Sequence, residues 1–298
     1  MRQILSKTLA PETQTYLNGL QSKIINGSGD DADVSFAAQV KRAKTTWKPD
    51  TRHFKDIKAV LKDMTVAGRC NYCEADRACD IEHIYPKSKF PELAYTWTNY
   101  ILACKFCNSY LKSDKFAVFS PKDSTIKIDL KRNAESVTED DAPPSDDGLL
   151  INPRTENPQN LIRLDLIGQT FLYQPIGFDP ATRDYQRADY TIDLLDLKNE
   201  DLIQAMRNQN RFFISSLEKY KMVKDATDFD TLKAIIGDFP FIKDKGDFFA
   251  EQQRMLLNLK NSIQNAMYPT IWDELKRQRK YLLRTKALFD ALPEVLLW

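Results

Sequence analysis

Histidine is nearly absent from this chain: its 298 residues contain two, His53 and His83. Long apolar runs are missing as well, the longest being only a few residues, so no stretch reads as a membrane span. The first residues, "MRQILSKTLAPE", lack the apolar core of a secretory leader, and a cytoplasmic protein with no membrane association is expected. Net charge is close to absent, with 43 Lys and Arg against 42 Asp and Glu. That balance by itself points to no partner, and any nucleic-acid binding has to use local basic patches or the help of another protein. Five cysteines in a chain of this size do not make a disulfide framework.

What is present is a globular composition, 42% apolar, enough for one large domain or two smaller ones. Pro11 suits a first helical position, and Tyr16, Leu17, Leu20 and Ile24 follow at helical spacing. "NGSGDDAD" at 26–33 breaks the chain. Phe36, Val40 and Trp47 suggest a second helix, and Phe54, Ile57, Leu61 and Met64 a third. The stretch "QVKRAKTTWK" (39–48) reads as a surface helix with Trp47 in the core, the alternative being a basic, aromatic contact patch. Residues 133–148, "NAESVTEDDAPPSDDG", have the composition of an exposed loop or boundary. Beyond it short β-leaning runs mix with turn residues, and from 199 onward the pattern is mostly helical, with Asn199 as a helix start. A last helix is expected from Thr270 through Phe289. Its outer side aligns Arg277, Lys280 and Arg284, which reads as a solvated face, with phosphate tracking as the alternative.

Four of the five cysteines form two matched pairs, Cys70-Asn71-Tyr72-Cys73 and Cys104-Lys105-Phe106-Cys107. Each pair can turn two thiolates to one side, and two such knuckles complete a closed tetrahedral shell suited to structural Zn2+. A redox pair is the competing reading. Cys79 has no partner at ligand spacing and reads as an ordinary thiol.

Between and just after the knuckles lie Glu82, His83, Asn99 and Asn108. His83 is the one side chain there whose ordinary titration suits a general base near neutral pH. Glu82 and Asn108 offer hard oxygen donors, which suit Mg2+ or Mn2+ better than zinc. Neighbours in a regular strand point to opposite faces, so Glu82 and His83 reach one ion only if the strand distorts. Asp80 shares a face with Glu82 and is a possible further ligand. For a lone histidine in a strand, the plainer reading is a buried, hydrogen-bonded core residue. His53 reads as a helix-start or surface residue.

"CNYC", "DIEHIYPKS" and "NYILACKFCNSYLK", taken in order, resemble the HNH family of metal-dependent nucleases. That resemblance covers under a fifth of the chain. It implies a ββα-metal core, hydrolysis of phosphodiester bonds in nucleic acid, DNA favoured, and products with 5′-phosphate and 3′-hydroxyl ends. It assigns His83 as base, Glu82 and Asn108 as ligands of the catalytic Mg2+ or Mn2+, and Asn99 as the tie of the loop between the strands. Glu replaces the more frequent Asp, and Asn the more frequent His. The family's lysine three residues past the third position stands here four past it, at Lys112, a candidate phosphate contact with Lys87 and Lys89. More loosely, "INPRTENP" and "TIDLLDLKNEDLIQAMR" look like the HNH subunit of Septu-type anti-phage systems, including retron-associated ones, which implies an ABC/SMC-type ATPase partner. A stand-alone restriction-type or homing-type enzyme is the other enzymatic reading. From a different class comes a zinc-stapled nucleic-acid-binding or adaptor protein without activity.

The expected architecture is α+β and predominantly helical: an N-terminal helical segment (1–66), a zinc-stapled nuclease core (67–132), an acidic linker or loop (133–148) and a mainly helical C-terminal region (149–298).

Overall fold

The computed structural model describes residues 1–27, 29, 32–75, 77–130, 142–236 and 247–298. The break expected at 26–33 and the acidic loop at 133–148 lie partly outside the described residues. The fold is α+β, with helices dominating and strands short and paired two by two. No helix among the described residues is long and apolar enough to cross a membrane.

By backbone contacts the chain forms two groups, Met1–Arg163 with Tyr173–Lys198, and Leu164–Leu172 with Asn199–Trp298. This division differs from the expected limits at 133–148, since residues 149–163 and 173–198 group with the first unit.

The first unit opens with α1 (Pro11–Asn26), α2 (Phe36–Thr45) and α3 (Arg52–Asp63). Pro11 sits in the first turn of α1, where its missing N–H costs nothing. Ser35 caps α2 by accepting from the Ala38 N–H. The buried Arg42 guanidinium donates to the Ile24 carbonyl through Nε (3.0 Å) and a terminal nitrogen (2.8 Å), tying the end of α1 to α2. Leu17, Ile24, Ala43, Phe54, Ile57 and Leu61 then form one core with Tyr95, Tyr100 and Leu102. Trp47 lies past the end of α2 and is half-buried.

Against this helical layer stands an antiparallel hairpin, β1 (Asp80–His83) with β2 (Tyr100–Ala103), in the register Asp80 to Ala103 and His83 to Tyr100. A seven-residue π-helix, Phe106–Lys112, follows. The Ser113 N–H closes it on the Asn108 carbonyl, five residues back, at 2.7 Å. Next come β3 (Phe116–Phe119) and β4 (Lys127–Leu130), paired antiparallel from Phe116 to Leu130. The chain beyond the acidic loop returns to this sheet: Gly148 bridges Val118, and the Leu149 N–H donates to the Ala117 carbonyl at 2.9 Å. Only glycine fits at 148, because a Cβ there would lie 2.7 Å from the Phe116 ring. Two short strands follow, β5 (Ile162–Leu164) and β6 (Tyr173–Pro175), then α4 (Arg183–Leu194), capped by Thr182.

The second unit carries α5 (Glu200–Asp225), α6 (Phe229–Ile236), α7 (Phe248–Gln264), α8 (Pro269–Gln278) and α9 (Leu283–Ala291). Asn199 caps α5 by accepting from the Asp201 and Leu202 N–H groups. The buried Gln252 amide donates to the carbonyls of Val223 and Ala226 at the end of α5. The single helix expected from Thr270 is two: α8 begins at Pro269, a tight 3-10 turn at Arg279–Tyr281 interrupts it, and α9 follows. The basic stripe is not continuous either, because Arg277 pairs with Glu274 and Arg284 with Glu218.

Candidate active site

Cys70, Cys73, Cys104 and Cys107 converge, their sulfurs all within 4.8 Å of one another. The Cys73 and Cys104 sulfurs are 3.9 Å apart, close to the spacing that zinc–thiolate bonds of about 2.3 Å produce in a tetrahedron. In each knuckle a following backbone N–H, of Tyr72 or Cys107, donates to the first sulfur at 3.4 Å. A hydrogen bond from Cys107 lowers the Cys104 thiol pKa, while contact with Cys104 raises those of Cys70 and Cys107. Four sulfurs so close cannot all ionise unaided, and a divalent cation removes that conflict. The donors fit structural zinc. Cys79 stands apart, its thiol pKa pushed up by burial and then by Asp80.

The first knuckle is tied to β2, because the Asn71 backbone N–H and side-chain amide both donate to the Leu102 carbonyl, at 3.1 and 3.0 Å. Tyr72, wholly buried, aims its hydroxyl at Glu82 Oε1 at 3.4 Å. One residue therefore joins the metal knuckle to β1.

Glu82 and His83 occupy the end of β1 and line the same cleft of about 370 Å³, together with Asn108, Lys87, Lys44, Trp47 and Ser88. Although adjacent in a strand, the two residues both line this one space, at the end of β1 where His83 pairs with Tyr100. Lys112 holds this arrangement. Its ammonium lies 2.7 Å from Glu82 Oε1 and 2.8 Å from the His83 carbonyl oxygen.

His83 Nε2 is 2.9 Å from the Ala94 carbonyl, an acceptor, so Nε2 carries the proton and donates it. That bond leaves Nδ1 as the ring nitrogen able to accept a proton. The ring packs edge-on against Trp47 (centroids 4.4 Å apart) and Tyr100 (5.1 Å). Burial, then the Lys87 charge, pushes the His83 pKa well below its usual value, and the imidazole is neutral at physiological pH. Burial raises the Glu82 pKa, with Lys112 opposing it.

Asn99 spans the loop that follows β1. Its Oδ1 accepts from the Tyr85 N–H (2.8 Å), and its Nδ2 donates to the Tyr85 and Leu93 carbonyls (2.9 and 3.0 Å). Asn108 sits on the π-helix, its Nδ2 3.4 Å from Asp80 Oδ2, which leaves its carbonyl oxygen as the donor for the cleft that it lines. Asp80 is not among the residues lining the cleft; it faces the Asn108 amide.

Hard oxygen donors are thus available from Glu82, whose Oε1 takes both Lys112 and Tyr72 while Oε2 remains, and from Asn108. A buried hydroxyl, Ser88 Oγ, lacks a hydrogen-bond partner in the same cleft. A carboxylate oxygen, an amide oxygen and an unpartnered hydroxyl fit an oxygen-seeking cation with its water shell.

The lysines need correction. Lys112 is fully buried and engaged by Glu82 and the His83 carbonyl, so it cannot serve as a surface grip on phosphate. It ends the π-helix, four positions past Asn108. Lys89 is 3% exposed and does not line the cleft. Lys87 does line it, with its ammonium 5.5 Å from the Trp47 ring centroid.

Lys44, Trp47 and Ser88 belong to the cleft without having been singled out as site residues. The interleaved lysines and tryptophan of 39–48 carried a signal for the first two, under the contact-patch reading. His53 stacks on Tyr16 with centroids 4.2 Å apart, remote in role from the cleft.

Residues 70–114 match the family model described as HNH endonuclease. No curated protein and no solved structure matches the chain.

Proposed function

We propose that this chain is a metal-dependent endonuclease whose HNH segment hydrolyses phosphodiester bonds, DNA favoured, at the cleft of Glu82, His83 and Asn108. One observation carries it: the imidazole, held through Nε2 by the Ala94 carbonyl, lines a cleft that the two oxygen-bearing residues also line.

His83 Nδ1 takes a proton from the attacking water, and the Nε2–H bond to Ala94 stabilises the cationic ring that forms. Glu82 and Asn108 would hold Mg2+ or Mn2+, which when bound neutralises charge developing on the scissile phosphate and departing oxygen. Asn99 is a positioning residue that fixes the loop after His83. Lys112 sets the carboxylate of Glu82. Lys87 and Lys44 supply positive charge at the cleft for the substrate backbone. In-line attack with departure of the 3′ oxygen leaves 5′-phosphate and 3′-hydroxyl ends.

The finer reading is an effector nuclease of an anti-phage system, cytoplasmic and acting with an ABC/SMC-type ATPase. It rests on the sequence layout before and after the knuckles. A neutral chain that holds nucleic acid weakly alone gains from such a partner. An inactive zinc-stapled adaptor needs the four cysteines but no convergence of Glu82, His83 and Asn108, and that convergence favours the enzyme.

The test is incubation of purified protein, alone and with its operon-encoded neighbours, with plasmid DNA and RNA under Mg2+, Mn2+ or chelator. Cleavage that needs the metal and disappears in His83→Ala supports the reading. Metal-independent cutting, or full activity in His83→Ala, overturns it.

A further inference from the structure

Phe106 and Tyr110 lie one turn apart on the π-helix that carries Asn108, with ring centroids 5.2 Å apart and planes 18° from parallel. Both are exposed, Phe106 by 51% and Tyr110 by 73%. Large aromatic rings in this state forgo burial, and because the two rings stack on one another the faces left for a further ring are their outer ones. Asn108 and Ser109, which lie between them in sequence, line the catalytic cleft. The cleft and the pair therefore occupy consecutive positions of one element. Lys105 and Ser109, their neighbours in sequence, are exposed and polar.

We propose that Phe106 and Tyr110 form a stacking platform for an unpaired base of the substrate, so that the cleft acts on single-stranded or locally melted nucleic acid. The inference rests on the nuclease reading and adds its substrate class. An exposed aromatic face on an element that borders a lysine-lined cleft suits a nucleotide whose base is unstacked, with the base on the ring and the phosphate toward Lys44 or Lys87. In an intact duplex each base is covered by its neighbours and offers no face to the platform. Stacking is tolerant of base identity, so the platform selects strand state and not sequence.

The experiment uses the full-length protein without added Mg2+ or Mn2+ and a single-stranded oligonucleotide carrying 2-aminopurine, whose fluorescence falls on stacking. Wild type and Tyr110→Phe are expected to quench it. Tyr110→Ala is expected to bind about tenfold or more weakly and to lose the quench, with an unchanged melting temperature and unchanged affinity for a fully paired duplex. Equal affinity and quench in Tyr110→Ala overturns the platform, as does a protein partner whose binding alone is lost in that variant. The two readings fail separately. Quenching by a wild type that cuts nothing under Mg2+ or Mn2+, both alone and with its operon-encoded neighbours, removes the nuclease and keeps the platform. Metal-dependent cleavage of single strands with the same KM in Tyr110→Ala does the reverse.

Discussion

The Lys112 ammonium and the Glu82 carboxylate form an ion pair 2.7 Å long, with side chains only 1% and 3% exposed. Such a pair adds little net stability over an apolar substitute, but removing one partner strands the other charge, at a cost of about 3–5 kcal/mol. Its value here is geometric, because the same ammonium also holds the His83 carbonyl and so fixes two neighbouring site residues at once.

Lys112→Ala is therefore expected to lose about 3–5 kcal/mol in denaturant unfolding. Lys112→Met combined with Glu82→Gln is expected to recover most of that loss while remaining inactive. A Lys112→Ala protein as stable as wild type would show that the pair does not form.

Replacing His83 by Ala is expected to slow cleavage by about 10²–10⁴ without changing zinc per chain. Single-turnover rates and elemental analysis measure the two quantities. If the rate holds, the base lies elsewhere.

Loss of the four-sulfur metal is expected to unfold the first unit. Apparent zinc binding of about 10–16 kcal/mol matches or exceeds the stability of a typical domain, about 5–15 kcal/mol. Cys104→Ser should be insoluble or zinc-poor, and strong chelation should abolish the cooperative melt of the wild type. A folded, zinc-free Cys104→Ser protein contradicts the role assigned to the cluster.

Trp47 touches His83, Tyr95, Tyr100 and Phe54 with its ring. Trp47→Ala is expected to cost about 3 kcal/mol through the void it leaves and to lower kcat by loosening the imidazole. Trp47→Phe keeps an edge against His83 and should restore most of kcat. Equal kcat in all three proteins would separate Trp47 from catalysis.

Much of the site was legible because its chemistry is local in sequence. Within each Cys-x-x-Cys pair the two ligands are brought to one side by turn geometry alone, and the α1 and α5 starts were marked by Pro11 and Asn199. Other features depend on partners far along the chain. A lysine reads as exposed until a buried carboxylate is placed opposite it, so the inward turn of Lys112 needed the register of β1 against the π-helix. That wide helix is itself invisible to a 3.6-residue pattern, as is the break at Arg279–Tyr281 inside a stripe that looks continuous. Trp47 was read as a core residue; it is half in the core and half a wall of the cleft.

The segment after the acidic stretch reaches back to the hairpin of β1 and β2. Arg154 donates to the Tyr100 carbonyl at 2.7 Å and to Ser6 Oγ at 3.1 Å, with its guanidinium 4.6 Å from the Trp97 ring centroid. Ile151 is fully buried, its N–H held by the Thr191 hydroxyl. A chain ended at residue 132 would thus lack part of its own scaffold. A protease that severs the backbone between 133 and 141 would leave two fragments still clasped together, and separately expressed halves should reassemble by complementation.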